Sequence, residues 1–475
     1  MRKKYVQMSL LDTFHSVEER LKNDKPELFR LLDEHLDWDE LIPDTFYNAF
    51  YQRFGRNRKY DLDSFMKSLF LQRIFHYIED TQLLNTLRFS YEMRDYCGFD
   101  KVPDAAKLTR FKQDFCDHIR EVFERLVEMT EPICREMDQA LADLLTFDTT
   151  GIESCVTENN PKFLRGKERQ SKSISKLDPS FDPSGGGAAL MPKVAASNPA
   201  AKLQYINGHF CYAQKAAVVA NGLGIVRRLE LLDESFKKSH PEVPIEKQTK
   251  NPELDKEVGD STALKPVLLD FRKRHPTLCY GTFTADAAFD SYDNYTFLMN
   301  DYGFQKAVIP LNPRHGLASA DTGFNENGTP VCPLDGTPML YVGKCGGLKR
   351  SPRLKWVCHK SAPATKAKRC ICENPCTAAP YGKCVYTYPH KNLRLYPGLS
   401  RDSDEFTTVY NHRASVERSI NSLKDTLGIA NRKTSNTLTT KADLFLAGIV
   451  QLLCVLMAHK LHDAKLARRP RRLIA

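Results

Sequence analysis

The hydrophobic period of this chain changes at Leu144, and no other feature constrains its fold as much. Up to about residue 140 the apolar residues recur at helical spacing: Phe65, Leu69, Leu71 and Phe75, then Leu83, Leu84 and Leu87, then Phe111, Phe115, Ile119, Val122, Phe123 and Leu126. Pro103 and Asp104 supply a stop and a cap before the last of these runs. From Leu144 the pattern becomes that of short strands, LLTFDTT, KAAVVA and IVRRLELL, with Asn221-Gly222 as a hairpin signal between the last two. The polar stretch from Thr157 to Lys202, which contains SGGGAAL, reads as a long surface loop. A helix from about Asp255 to Arg274, a strand GTFTAD, a helix from Ser291 to Asp301 and a strand KAVIP follow. Strand, hairpin, helix, strand, helix, strand is the order of a mixed sheet covered by helices, so the expected class is α/β.

A chain of 475 residues exceeds one hydrophobic core and predicts two to four domains. Its 41 % hydrophobic and 27 % charged residues exclude a disordered or collagen-like chain. Texture divides it into a helical region, 1–140; the start of the α/β domain, 141–310; a Cys-, Pro- and Gly-rich insertion, 311–400; and returning helices with a basic tail, 401–475. Between Tyr341 and Ser400 there are 12 Lys plus Arg against the single acid Glu373, a local +11 that exceeds the +10 of the whole chain. A polyanion partner is therefore plausible, and the insertion is where its charge would be met. The tail, with Lys465, Arg468, Arg469, Arg471 and Arg472, is either a phosphate-binding arm or a frayed terminus.

The N-terminus has basic residues but no apolar run of signal-peptide length. Leu444 to Ala458 is the one long apolar run, and with Asp443 and Gln451 at and within its bounds it reads as a buried helix, with no membrane partner. Fourteen cysteines without a secretory signal indicate thiols or metal ligands in a reducing compartment, and the cytoplasm fits.

The segment VYNHRASVERSINSLKDTLG carries the chemistry. At 100° per residue Tyr410, Arg413, Glu417 and Lys424 share one sector of about 60°, beside an apolar stripe of Val416, Ile420, Leu423 and Leu427. Such a helix can dock by one face and present a carboxylate flanked by cations on the other. The spacing is equally that of an ordinary amphipathic helix in which Arg413 pairs with Glu417.

Tyr410-x2-Arg413-x3-Glu417-x6-Lys424 resembles the signature of a large group of bacterial insertion-sequence transposases, the DDE type with a ribonuclease-H-like catalytic domain. TFDTTGIES around Asp148 is similar to the first catalytic block of that family, TADAAFDSYDNY around Asp286 to the second, and VIPLNPR to a segment after the next strand. The resemblance extends over most of the chain, and is weakest from Thr157 to Lys202 and in the Cys-rich stretch. It implies a ribonuclease-H-like mixed sheet interrupted by the insertion, which in some relatives is β-rich and contacts DNA. It implies Asp148, Asp286 and Glu417 as catalytic ligands of two magnesium (or manganese) ions, with Tyr410, Arg413 and Lys424 on DNA phosphates. The implied activity is that of a polynucleotidyl transferase with endonuclease activity: it cuts the ends of a mobile element and joins the 3′-hydroxyls to target DNA. The implied partners are double-stranded DNA, the element's terminal repeats and its target, and a second copy of the chain in a dimer or larger assembly, so that the protein is nucleoid-associated when bound.

Three separated acids suit this reaction because two divalent ions about 4 Å apart activate the attacking oxygen and stabilise the leaving one, and magnesium prefers carboxylate oxygens. Taken singly, Asp148 reads as a strand-end acid and Asp286 as a helix cap, with Asp290 and Asp293 as rivals for the second position. A nuclease or resolvase of the same fold, or a DNA-binding regulator without enzymatic activity, would carry many of the same features.

Seven of the fourteen cysteines lie between Cys332 and Cys384, and Cys372-x3-Cys376, with Cys370 and Cys358 near, has the spacing of a structural zinc site at Cys358, Cys370, Cys372 and Cys376. Buried thiols are the alternative. Trp356 reads as a base-stacking residue or as core. Helices around Thr81 to Phe89 and Asp104 to His118 read as a helix-turn-helix with Arg110 and Lys112 near DNA, or as plain helical packing.

Overall fold

The computed structural model describes residues 9, 11, 15, 26–51, 57–178, 180–181, 187, 190–206, 208–247, 256–315, 323–347, 350–430 and 432–474. The chain forms two compact units, one of residues 1–126, 425–433 and 438–475, the other of residues 127–424 and 434–437.

The first unit is helical, with helices at Glu27–His35, Asp44–Phe50, Leu62–Ile74, Asp80–Phe89, Tyr91–Cys97 and Ala105–Asp114 and most of Thr437–Lys460. Asp104 caps Ala105–Asp114 by accepting from the Lys107 amide, as its place before the apolar run predicts. Phe46, Phe50, Phe65, Phe111 and Phe115 build an aromatic core in which Phe65 and Phe111 stack at 4.6 Å. Thr437–Lys460 is apolar on every side and long enough to cross a membrane, but 94 % of its most apolar window is buried inside the protein, so it is a core helix. Its one acid, Asp443, meets Arg73 at 2.5 Å, Arg432 at 2.9 Å and Lys112 at 3.4 Å, and Asp80 holds the same Lys112 and Arg432. Lys112 is thus fully buried in an ion cluster and cannot reach DNA, which corrects the helix-turn-helix reading at that position. The basic tail is not frayed: Leu466, Ala467, Pro470 and Leu473 are buried and Arg472 pairs with Asp463 at 3.1 Å.

The second unit is built on a mixed sheet. Its strands are β1 (Leu144–Glu153), β2 (Lys202–Ile206), β3 (His209–Asn221), β4 (Val226–Leu231), β7 (Thr282–Thr284) and β8 (Lys306–Val308), and a short separate pair is formed by β5 (Ile245–Lys247) and β6 (Lys256–Val258). β3 pairs antiparallel with β1, β2 and β4, whereas β1–β7 and β7–β8 are parallel, giving the order β4-β3-β1-β7-β8 with β2 extending the β4 side. The unit is α/β, as the alternation of strands and helices predicts. The Asn221-Gly222 hairpin forms, but its connection runs to Ile225, with Gly224 at φ 81°.

Two expectations change. The stretch expected as a loop after Thr157 contains a helix, Pro161–Leu177, capped by Asn160, whose Phe163 and Leu164 pack on buried Val156, Met191 and Tyr212. Its remaining residues are so polar that no apolar period announces it; most of SGGGAAL lies outside the described residues. The segment from 405 to 427 is not one helix but Asp404–Asn411, then Ala414–Asn421, then a π turn at Ser422–Thr426. The break at His412 and Arg413 is closed by three-residue bonds, Arg413 N to Tyr410 O at 2.8 Å and Ser415 N to His412 O at 2.9 Å, with neither proline nor glycine to signal it.

Within the insertion, β9 (Leu340–Gly347), β10 (Arg350–Val357) and β11 (Cys384–Thr387) form an antiparallel sheet in the order β11-β10-β9. Trp356 is buried among Met339, Leu354 and Tyr396, and its Nε1 donates to Thr387 Oγ1 at 2.8 Å, so it is core and not a base-stacking platform.

Candidate metal-binding active site

Strand register brings two of the acids together. In the parallel pair β1–β7, Thr146 stands opposite Thr284, and Asp148 and Asp286 each follow by two residues, beyond the paired stretch; Asp148 is not the strand-end acid its sequence suggests, because β1 goes on pairing with β3 as far as Glu153. Alternation along a strand puts Asp148 on the face of Thr146, whose Oγ1 lies 3.4 Å from Ser415 Oγ at the start of helix Ala414–Asn421. Asp148 is half-buried and accepts from the Thr149 amide at 2.8 Å. Asp286 accepts from the Ala288 amide at 2.8 Å, capping the short turn Ala287–Phe289.

Two serines, which the apolar pattern does not single out, anchor that helix. Buried Ser415 donates to Asn221 O at 3.1 Å, and buried Ser419 donates to Gly224 O at 2.7 Å. A side chain on Gly224 would meet Ser415 O at 3.3 Å, so glycine serves there both the positive φ and the close approach. Val416, Ile420 and Leu423 are buried beside the serines, as the predicted stripe requires.

Glu417 projects from this helix and is paired with Arg413 at 2.7 Å. The Arg413 guanidinium lies 5.7 Å from the centre of the Tyr410 ring, and Tyr410 packs against Phe406 at 6.0 Å. Lys424, set by the π turn, reaches Thr150 Oγ1 at 3.1 Å, on the Asp148 face of β1. Despite the helix break, then, Tyr410, Arg413 and Glu417 form one connected group and Lys424 meets the strand that carries Asp148.

The charges converge on Asp148. Burial raises its carboxyl to about 6 from 3.8, with the Thr149 amide opposing, Asp286 raising it, Arg413 opposing and Glu417 raising it further. Two other carboxylates are therefore near enough to repel its charge, and one arginine offsets part of that repulsion. The three acids do not stand at metal-ligand spacing: among the described residues, the group whose ligand atoms all lie within 4.8 Å of one another is Glu153, His209 and Cys211, further along β1 and at the start of β3. There the Cys211 thiol is raised to about 11 by burial and then by Glu153, which opposes thiolate ligation.

The rival acids separate clearly. Asp290 is fully buried and bound by Arg394, with contacts of 2.8 to 3.1 Å, by Tyr295 Oη at 3.0 Å and by the Asn312 amide at 2.7 Å. It ties the chain before the insertion to both ends of the insertion, at Asn312 and Arg394. Asp293 is exposed in the first turn of Tyr292–Thr296.

In the helical unit a cleft is lined by Arg58, Lys59, Arg88, Lys101, Lys107 and Arg110 together with Tyr51 and Tyr60, against the acids Asp104 and Asp114. Arg110, unlike Lys112, is available at its surface. Sequence reading missed the cleft because its cations come from four separate segments.

Residues 15–114 match the family model described as a transposase domain (DUF772). No curated protein matches the chain. The family match supports a transposase, and with it a protein that binds and processes DNA.

Proposed function

We propose that this chain is a DDE-type transposase that cuts the ends of its insertion sequence by divalent-metal-dependent hydrolysis and transfers the 3′-hydroxyl ends to target DNA. The observation that carries the reading is the position of Asp148 and Asp286, each two residues beyond the paired stretch of the parallel strands β1 and β7, with Asp286 and Glu417 close enough to raise the Asp148 carboxyl. The order β4-β3-β1-β7-β8, three antiparallel strands followed by two parallel ones, supports a ribonuclease-H-like catalytic domain.

Asp148, Asp286 and Glu417 would hold two magnesium or manganese ions, whose chemistry is to activate an attacking oxygen and stabilise the leaving one. The donor set fits: Asp286 and Glu417 both repel the Asp148 charge, and Arg413 offsets part of that repulsion. Arg413 holds Glu417 in the free protein and is placed to exchange that carboxylate for a DNA phosphate, which a guanidinium binds through two parallel bonds. Lys424 offers a point charge on the Asp148 face, and Tyr410 orients Arg413. The basic cleft of the helical unit suits the phosphates of double-stranded element ends. Two ends must meet for transfer, so a dimer or larger assembly on DNA is part of the proposal.

The test is cleavage of labelled DNA that carries the element's own ends and flanks, in magnesium or EDTA, by wild type and Asp286→Ala. Cutting at the element boundary that needs magnesium and is absent in the variant is the expected result, followed by joined products. Cutting without joining would replace transposase by nuclease, and binding without cutting would replace it by a regulator.

Metal affinity should also depend on pH. With the Asp148 carboxyl at about 6 and faced by Asp286, Glu417 and Arg413, protons compete with the cation below that pH. Manganese binding followed by calorimetry is expected to weaken about tenfold between pH 7.5 and pH 5; equal affinities would separate Asp148 from the metal.

A further inference from the structure

The insertion has a core too small for its length. Its buried apolar cluster is Met339, Leu354, Trp356 and Tyr396 with Val385 packed against it, while the chain between β10 and β11 has no strand and a single 3-10 turn, Ala362–Ala364. Modules of this size with so little buried apolar surface commonly depend on a covalent or metal staple.

Thiols converge where that staple is needed. Cys332 opens a tight turn, with Gly336 N bonded to Cys332 O at 2.9 Å and Gly336 at φ 71°. Cys358 opens another, with Ser361 N bonded to Cys358 O at 2.9 Å. The two turns are clamped by Asp335, which meets Lys360 at 3.1 Å and His359 at 3.4 Å. Both thiols are almost fully buried, and the Cys358 Sγ lies 3.8 Å from His359 Nδ1. The segment carrying Cys370 and Cys372 is stitched to the second turn by Ile371 N to Lys360 O at 3.0 Å. Cys372 then begins the turn Cys-Glu-Asn-Pro-Cys, its Sγ lying 3.5 Å from Asn374 O, and this turn returns Cys376 toward Cys358. Cys370 is instead tied by its amide to Pro380 O at 2.9 Å and lies beside Gly382, its Cβ 3.5 Å from where a Gly382 side chain would be.

We propose that Cys332, Cys358, Cys372 and Cys376 bind one structural zinc ion that closes the coil between β10 and β11 onto the Cys332 turn. Relative to the spacing-based set, Cys332 takes the place of Cys370. All four residues are thiols, the donors that zinc accepts in closed tetrahedral sites. Among the described residues no three of these thiols lie within 4.8 Å of one another, so binding must draw the Cys372–Cys376 turn inward. The site rests on the insertion alone and stands whether or not the catalytic proposal does.

The test is the metal content of the full chain, purified under reducing conditions without chelator and refilled with zinc sulfate. About one zinc per chain is expected in wild type, Cys345→Ser and Cys370→Ser, and less than a tenth of that in Cys332→Ser and Cys372→Ser. Because a ligand variant can lose zinc by misfolding, wild type is also titrated with a mercurial while a chromogenic chelator reports released zinc. Once exposed Cys155 and Cys279 have reacted, release that is complete over four further thiols is expected. Zinc-free wild type with fourteen titratable thiols would overturn the site, as would a Cys332–Cys358 disulfide. Retention in Cys332→Ser with loss in Cys370→Ser would overturn the ligand set.

Discussion

Asp148→Asn is expected to lose DNA cutting by on the order of a thousandfold or more and, in the same preparation without metal, to melt at a higher temperature than wild type. The first effect follows from the proposed role, because an amide cannot replace a carboxylate as an anionic ligand and a missing centre of charge stabilisation typically costs on the order of a thousandfold. The second follows from the surroundings of Asp148. Its carboxyl stands at about 6 in the folded protein against an ordinary 3.8, chiefly through burial and then through Asp286 and Glu417. A carboxyl raised by folding binds its proton more tightly in the folded state, so wild type loses stability as pH climbs between those two values and carries the full penalty above 6. Asparagine has no such penalty. After a discount for partial exposure the gain is roughly 2 kcal/mol at pH 7.5, or about 4 °C for a unit of this size, and it vanishes below about pH 4. Calorimetry at the two pH values checks it, and magnesium should narrow the gap by stabilising wild type alone. A variant that is inactive but less stable at pH 7.5 would show that Asp148 makes structural bonds instead of enduring repulsion.

The other large effect belongs to the helical unit. Asp443→Ala is expected to destabilise it by about 3 to 5 kcal/mol, because the change leaves Arg73 and Lys112 buried with the cluster's charge balance broken. Arg432, Lys112 and Arg73 together hold the Asp443 carboxyl below its ordinary range against burial and Asp80. A carboxyl lowered by folding stabilises above its ordinary value and stops doing so as pH falls through the folded one, so the cluster should persist at any pH above about 4. The measurement is amide hydrogen exchange along Thr437–Lys460 beside the thermal midpoint, since a chain of two units need not unfold in one step. Faster exchange throughout that helix is expected, and a change below about 1 kcal/mol would mean that Asp80 alone suffices for the three cations.

Particular residues show how far sequence reaches here. The cap at Asp104 and the buried stripe of Val416, Ile420 and Leu423 were legible because each depends on a local period or a short capping pattern, whereas β1 does not end at Asp148 as its local pattern suggests but runs to Glu153, held there by pairing with β3. The helix Pro161–Leu177 was not, since a mostly polar helix has no apolar period to announce it. Lys112 looked like a surface cation because a charge does not disclose in sequence that its partners are Asp80, 32 positions away, and the distant Asp443. Asp290 looked like a rival to Asp286 for the same reason, its arginine being 104 positions away.

The sequence by itself determined which residue types carry the chemistry and the helical or extended habit of the segments that hold them, because periodicity and capping act over a few residues. Only the tertiary structure decided which acids meet. Register across β1 and β7 aligned Asp148 with Asp286, the hydroxyls of Ser415 and Ser419 seated the helix of Glu417 over β1 and β3, and the clamp at Asp335 brought the Cys332 turn to that of Cys358. Each of these joins residues far apart in the chain, and such pairings are chosen by the packing and hydrogen bonding of the whole fold, which no short window of sequence contains.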